Sequence, residues 1–186
     1  VAFSEIIEEG VDPQELLAEV TGTNYREIYD VLDDRYTVTV EKEAFVSAYD
    51  EHAETVYQEE ASLMDGFGEL VEDIRERGAA VALSSSSPPE WIQMVIDRFD
   101  LSGAFDAVVS AEEVEASKPD PAVYLRTAEE LGVEPGACIA VEDSDNGIEA
   151  AKRAGMMCIG YRNESGAVDE TAATPRELRE TLLPLL

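Results

Sequence analysis

Three short stretches of the chain hold the side chains best suited to binding charged groups. The first is Ser84-Ser85-Ser86-Ser87, directly ahead of Pro88-Pro89. Hydroxyls and free backbone N–H groups before a helix N-terminus form an anion site; a serine-rich N-cap is the plainer reading of the same string. The second is Ser117-Lys118-Pro119-Asp120-Pro121, in a chain with only 13 Lys+Arg against 42 Asp+Glu. Proline stiffens the backbone around Lys118 and restricts its angle of approach. An ammonium held in this way neutralises a phosphate or a carboxylate; the plainer reading is a surface lysine before a proline-capped helix. The third is Glu142-Asp143-Ser144-Asp145-Asn146-Gly147. Adjacent carboxylates at the end of an apolar strand are costly unless paired or bound to a cation, and hard oxygen donors suit Mg²⁺. The spacing is not that of an EF-hand loop. An acidic N-cap is the alternative.

The elements that must position these stretches follow from the hydrophobic pattern. From Asp65-Gly66 onward helices and apolar strands alternate. A helix is expected over 67–77, then a strand over 79–83 running into the serines. Pro88 and Pro89 open a helix with Trp91, Val95, Ile96 and Phe99. A second strand covers 107–109. Pro121 opens a helix through Val123, Tyr124, Leu125, Ala128 and Leu131, closed by Gly132. Further strands over 137–141 and 156–159 flank a helix over 147–154, and Pro175 opens a last helix. Alternating helices and fully apolar strands predict an α/β fold, a Rossmann-like parallel sheet covered on both faces. Sites in such sheets lie at the carboxyl ends of the strands, where all three stretches fall. Residues 1–62 form a helical block, so the division is 1–62 and 63–186. Pro13 opens a first helix over 14–20, and Thr23 or Asn24 caps a second that ends near Asp34. The segment 41–61 carries Ala44, Phe45, Ala48, Tyr49, His52, Val56 and Tyr57 at helical spacing, which assigns His52 and Tyr49 to core packing.

A hydroxyl loop, a lysine loop and a carboxylate loop after three strands of one parallel sheet, in this order, resemble the haloacid-dehalogenase-like superfamily, in the branch of phosphoglycolate phosphatases and β-phosphoglucomutases. The likeness covers nearly the whole chain. The strand into Ser-Ser-Ser looks like the family's second motif. It implies that Ser85 binds the transferring phosphoryl group with the Ser86 backbone beside it, Ser84 being the neighbouring register. Ser-Lys-Pro-Asp-Pro-Ala-Val-Tyr looks like the third motif, with Lys118 as partner of phosphate and nucleophile. Cys-Ile-Ala-Val-Glu-Asp-Ser-Asp-Asn-Gly looks like the fourth, with Asp143 as a Mg²⁺ ligand and Glu142 supporting it at the metal. The block 1–62 is similar to the helical cap of such enzymes. Asn24 and Arg26, after Gly22, stand where the family contacts substrate; a solvated first-turn arginine is an equal reading of Arg26.

The family's first motif, an Asp-x-Asp-Gly that supplies the nucleophile and a general acid/base, does not occur. The only Asp-x-Asp-x-Gly is Asp143-Ser144-Asp145-Asn146-Gly147, which already serves as the fourth motif. In the family the first strand is central, and a sheet without it has two edges of unpaired backbone groups. The expectation is roughly 20 or more upstream residues, enough for a strand, a loop and a helical turn, and a chain that is not a competent phosphatase without them. With that motif, the resemblance implies transfer of the phosphoryl group to an aspartate and hydrolysis of the aspartyl-phosphate. A phosphomutase and a non-catalytic phosphate-binding relative are the alternatives. The Glu142-Asp143 pair argues against a metal-free dehalogenase.

The resemblance implies a small phosphorylated metabolite as partner, and composition excludes two other classes. The formal charge of −29 and pI near 4.1 repel nucleic acid, and no apolar run is long enough to span a membrane. The acids are spread along the chain, as at Glu8-Glu9, Asp33-Asp34, Glu59-Glu60, Glu112-Glu113 and Glu129-Glu130. This pattern resembles a halophile's cytoplasmic protein, whose self-repulsion concentrated salt screens. Cys138 and Cys158 sit in apolar runs and are expected as buried free thiols in two strands, which with the lack of a leader pattern points to the cytoplasm. No apolar stripe is left over for a partner helix, which implies a monomer or a weak homodimer.

Overall fold

The computed structural model describes Val20 and residues 25–186. The helical block contributes α1 (Tyr25–Arg35) and α2 (Lys42–Thr55), the latter continuing into a π-helical turn over Val56–Glu60. Ile28 and Leu32 of α1, four residues apart, are buried against Phe45 and Ala53 of α2. Rings carry the packing onward. Tyr29 meets Phe45 edge-on at 5.6 Å, Phe45 lies 5.9 Å from Tyr49, and Tyr49 stacks on Trp91 at 6.2 Å. The sequence expectation for α2 is wrong in one respect: Ala44, Ala48 and His52 are exposed. They precede Phe45, Tyr49 and Ala53 by one residue, about 100° round the helix, and only the narrower stripe meets a neighbour. His52 is therefore not a core histidine.

The remaining elements are α3 (Phe67–Glu76), β1 (Ala82–Ser85), α4 (Pro89–Arg98), β2 (Ala107–Ser110), α5 (Ala122–Leu131), β3 (Ile139–Glu142), α6 (Asp145–Arg153), β4 (Met157–Tyr161), β5 (Glu170–Ala172) and α7 (Pro175–Leu182). All strand pairs are parallel, as crossover helices require. α5 and α6 cover one face through Val123, Tyr124, Ala128, Ile148 and Ala151; Leu70 of α3 and Leu178 and Leu182 of α7 cover the other. Among the described residues the strands form two sheets, β1-β2 and β3-β4-β5, with no ladder joining β1 to β3. Coverage is also incomplete, since Val141 of β3 is 40% exposed and Val108 of β2 36%.

The strands start later than their apolar runs. β1 pairs with β2 from Ala82↔Ala107 to Ser85↔Ser110, so Ser84 and Ser85 belong to the ladder and not to the loop. Glu142 likewise closes β3. Apolar residues report burial, whereas backbone pairing decides the strand. Cys138 precedes β3 and is partly exposed, against expectation, while Cys158 is buried in β4. Burial, with the Glu142 charge nearby, pushes the Cys158 thiol up to about 11. Leu125 is exposed on the outer side of α5. α6 begins at Asp145, capped by Ser144, whose hydroxyl accepts from Gly147 N at 3.1 Å. β5 escapes sequence reasoning because Glu-Thr-Ala is too short and polar to show a period. No helix of the described residues is long and apolar enough to cross a membrane.

β5 is reached through Asp169, whose carboxylate accepts from Lys152 Nζ at 2.7 Å and from Cys158 N at 2.7 Å. Those two bonds hold its carboxyl below the ordinary aspartate range. A carboxyl depressed in the folded state stabilises above its unfolded pKa, about 4, and loses that contribution as pH falls through the folded value. Asp169→Asn is expected to flatten the acid side of the stability–pH curve below about pH 4, as read from urea midpoints; an unchanged acid limb would refute this.

Candidate active site

The carboxyl ends of β1 and β3 belong to different sheets, and α5 bridges them. Its inner face carries Tyr124 and Thr127, three residues apart and both buried. Tyr124 reaches Glu142 at the end of β3. Thr127 Oγ1 lies 2.7 Å from Ser84 Oγ in β1. Thr127 gives its own proton to Val123 O at 2.8 Å, so Ser84 is the donor in that contact. Ser84 is thus engaged with the core. Ser85, the next residue, points to the opposite face. Its hydroxyl oxygen accepts from Ser87 N at 3.1 Å, which leaves its proton for an outward acceptor. Ser86 follows at the bend, half-buried. Ser110 of β2, 1% exposed, braces the loop by donating to Ser87 O at 2.7 Å.

Lys118 is not a surface lysine. It is 7% exposed, and its Nζ donates to Glu142 Oε1. The loop that carries it turns back through Asp120 N to Ser117 O at 2.9 Å, and Asp120 Oδ1 accepts from Ala122 N at 2.9 Å, which opens α5. The Lys118-Pro119 peptide is cis. Glu142, 8% exposed, accepts from Lys118 and Tyr124 on Oε1 and from Ser144 Oγ on Oε2 at 3.2 Å. These are three of the roughly four acceptor positions of a carboxylate. Burial, then the Glu142 charge and the hydrogen bond to it, raise the Tyr124 hydroxyl far above its ordinary value. It remains a donor at any working pH.

Asp143 is the opposite case. It is exposed at the mouth of β3, and among the described residues its carboxylate has neither a hydrogen bond nor an ion pair. Its backbone is pinned: Asn163 Nδ2, just beyond β4, donates to Asp143 O at 3.0 Å and to Asp145 Oδ1 at 3.1 Å. No three His, Cys, Asp or Glu side chains of the described residues converge on one cation. Mg²⁺ is commonly held by one or two carboxylates plus water and substrate phosphate, and Asp143 fits such a ligand. The tie of Glu142 to Lys118 leaves it at most one free acceptor position.

Gly147, inside α6, faces the same carboxylate, and a Cβ there would overlap Glu142. In an open helix Gly→Ala stabilises by roughly 1 kcal/mol. Here the pinned carboxylate cannot yield without losing its three donors, so Gly147→Ala is expected to lower Tm. A rise in Tm would show that Glu142 is not fixed.

Among the described residues the helical block touches the site through Glu27 and Tyr57. Ser117 Oγ donates to Glu27 Oε1 at 2.9 Å, and Tyr57 OH lies 3.2 Å from Ser87 Oγ. Between α1 and 111–117 lies a shallow cleft of about 370 Å³ with Glu27, Glu112 and Glu115 in its wall. Arg26 lies in the first turn of α1, and Asn24 falls outside the described residues. The structure therefore brings Lys118 and Glu142 into contact beside Asp143 and sets Ser85 at the end of the neighbouring half-sheet. Sequence reasoning missed Tyr124, Thr127, Ser144 and Asn163. Tyr124 and Thr127 carry a faint signal, polar groups at i, i+3 on an otherwise apolar helix face. Asn163 carries none.

The sequence profile described as haloacid dehalogenase-like hydrolase matches residues 2–161. Hexitol phosphatase B of Escherichia coli (strain K12) is 44% identical over 105 residues, 56% of this chain and 47% of that protein. The phosphorylated carbohydrates phosphatase of Thermotoga maritima is 31% identical over 177 residues, 93% of this chain and 82% of that one. The chain thus spans less than half the length of the hexitol phosphatase. In fold it is similar to a β-phosphoglucomutase from Clostridium difficile, with a TM-score of 0.80 at 23% identity over 95% of this chain and 81% of that one.

Proposed function

The chain belongs to the haloacid dehalogenase-like hydrolase family, and on that premise we propose that it carries the cap and phosphate-binding part of a Mg²⁺-dependent phosphatase for a small phosphorylated sugar or polyol. The observation that carries this reading is the buried Lys118–Glu142 pair at the end of β3 with the exposed carboxylate of Asp143 beside it. Ser85 donates its free proton to a phosphoryl oxygen, and the Ser86 backbone N–H lies next to it. Lys118 supplies a fixed positive charge, worth most in a water-poor site. Asp143 holds Mg²⁺, which supplies charge neutralisation on the phosphate oxygens when bound, and Glu142 supports both Lys118 and the metal. Arg26 and Asn24 are the cap groups offered to the sugar. The nucleophilic aspartate comes from a further strand beside β1 and β3, which no ladder of the described residues joins.

The test, made on protein that includes the strand bearing the aspartate, is phosphate release from hexose and hexitol phosphates, with Mg²⁺ and with chelator. Turnover is expected to require Mg²⁺ and to fall by about 10²-fold or more in Lys118→Ala and in Asp143→Ala; unchanged turnover in either overturns the site. A second reading is a phosphate-binding relative without turnover. Phosphate affinity without hydrolysis selects it, and transfer to a sugar hydroxyl selects a mutase. A net charge of −29 repels an anionic substrate, so substrate binding is expected to strengthen from dilute buffer to molar KCl. Binding that weakens monotonically counts against the halophile reading.

A further inference from the structure

We propose that Tyr124 is a positioning residue for Lys118, acting through Glu142 and through its own ring; the proposal rests on the reading of Lys118 as the phosphate-binding cation. Two independent contacts support it. The Tyr124 hydroxyl donates to Glu142 Oε1, the same oxygen that accepts from Lys118. Its ring lies beneath the ammonium, with Nζ 4.9 Å from the centroid, within cation–π range. One side chain therefore fixes both the carboxylate that anchors the lysine and the surface on which it rests. The placement of Tyr124 is itself determined, because Thr127 one turn later ties the same helix to Ser84.

A lysine ammonium on a four-carbon stem has many rotamers, and its use as a phosphate partner depends on holding one of them. Glu142 alone would allow the ammonium to pivot about a single oxygen. With Oε1 shared between Tyr124 and Lys118, and Oε2 held by Ser144, the carboxylate plane cannot turn, and the lysine presents its remaining N–H groups in one direction. Removing the hydroxyl leaves the pair intact and frees its orientation. The expected loss is therefore in phosphate affinity and in the order of the ammonium, beyond any loss of stability.

The experiment uses the full chain, wild type and Tyr124→Phe, which deletes one oxygen and keeps the ring. Inorganic phosphate is titrated in calorimetry with Mg²⁺ present, and Lys118→Ala is the control for the underlying reading. Lys42, Lys118 and Lys152 are the only lysines, and Lys118 alone is buried, so ¹⁵N-lysine labelling gives one slowly exchanging ammonium signal to follow by NMR. The expected result is that Tyr124→Phe weakens phosphate by about 3–10-fold, part of one charge-assisted hydrogen bond, and shifts and broadens the Lys118 signal. Glu142→Gln, which weakens the same link from its other end, should disturb that signal too and serves if Tyr124→Phe folds poorly. An undisturbed Lys118 signal, or wild-type phosphate affinity in Tyr124→Phe while Lys118→Ala has lost it, overturns the role of Tyr124 and leaves the site standing. Wild-type affinity in Lys118→Ala overturns the site reading itself.

Discussion

Lys118→Met is expected to destabilise the protein by about 3–5 kcal/mol, the usual result of leaving one partner of a buried ion pair alone. Glu142, 8% exposed, would retain the neutral donors Tyr124 and Ser144 but lose its countercharge. Desolvation of the carboxylate then dominates, because two neutral hydrogen bonds do not replace an ammonium in a low-dielectric setting. The double variant Lys118→Met/Glu142→Leu removes both charges and is expected to recover most of the loss, since apolar replacement of a whole buried pair is often neutral or better. Urea unfolding followed by circular dichroism measures both. A loss below about 1 kcal/mol in the single variant is the value for an exposed pair and would mean that water reaches Glu142. A double variant as unstable as the single one would assign the loss to packing.

Trp91→Ala is expected to cost about 3–5 kcal/mol, as large aromatic truncations in cores do. Trp91 is 6% exposed and belongs to α4, yet it packs with the helical block, between Tyr49 at 6.2 Å and Tyr57 at 5.7 Å. Arg98, later in α4, donates to Tyr57 O at 2.7 Å and Glu59 O at 2.9 Å and so satisfies carbonyls left open at the end of the π-helical turn. α4 thus fastens the helical block to the core directly after the serine loop. Removing the indole empties the junction, whereas Trp91→Phe keeps an aromatic surface and is expected to lose less than half as much. The measurement is again urea unfolding by far-UV circular dichroism, because Trp91 is the chain's only tryptophan and its fluorescence disappears with it. A loss under about 1 kcal/mol in Trp91→Ala would mean that the cavity collapses or that the block packs independently of α4.

Both effects arise in the tertiary arrangement, and the sequence offered uneven access to it. Elements were legible where period and punctuation agree. Pro89 opens α4, Gly132 closes α5 in a left-handed conformation at φ 68, and Thr174-Pro175 starts α7. Strand edges were less legible, because an apolar run records burial and the ladder is set by a partner. Thus β1 extends into Ser84 and Ser85, and β3 takes Glu142. The exposed face of α2 was misread for a related reason. Ala44, Ala48 and His52 share the spacing of Phe45, Tyr49 and Ala53, and only the position of α1 and α4 decides which row is covered.

By itself, the sequence determined the alternation of helices and parallel strands, the order of the serine, lysine and carboxylate loops along the chain, and the family to which they belong. These are local properties, carried by hydrophobic period, by proline and glycine, and by motifs contiguous in the chain. Tertiary structure alone decided which charges neutralise each other. Lys118 and Glu142, 24 residues apart, are paired because α5 folds over both half-sheets. Asp143, the next residue, lies just past the end of β3 and is left exposed. It also decided that Ser84 faces Thr127 while Ser85 does not, and that Tyr124 and Asn163 reach the site at all. Such pairings depend on where an element lies in space, and a charge or a hydroxyl carries no mark in the sequence of the distant group that will satisfy it.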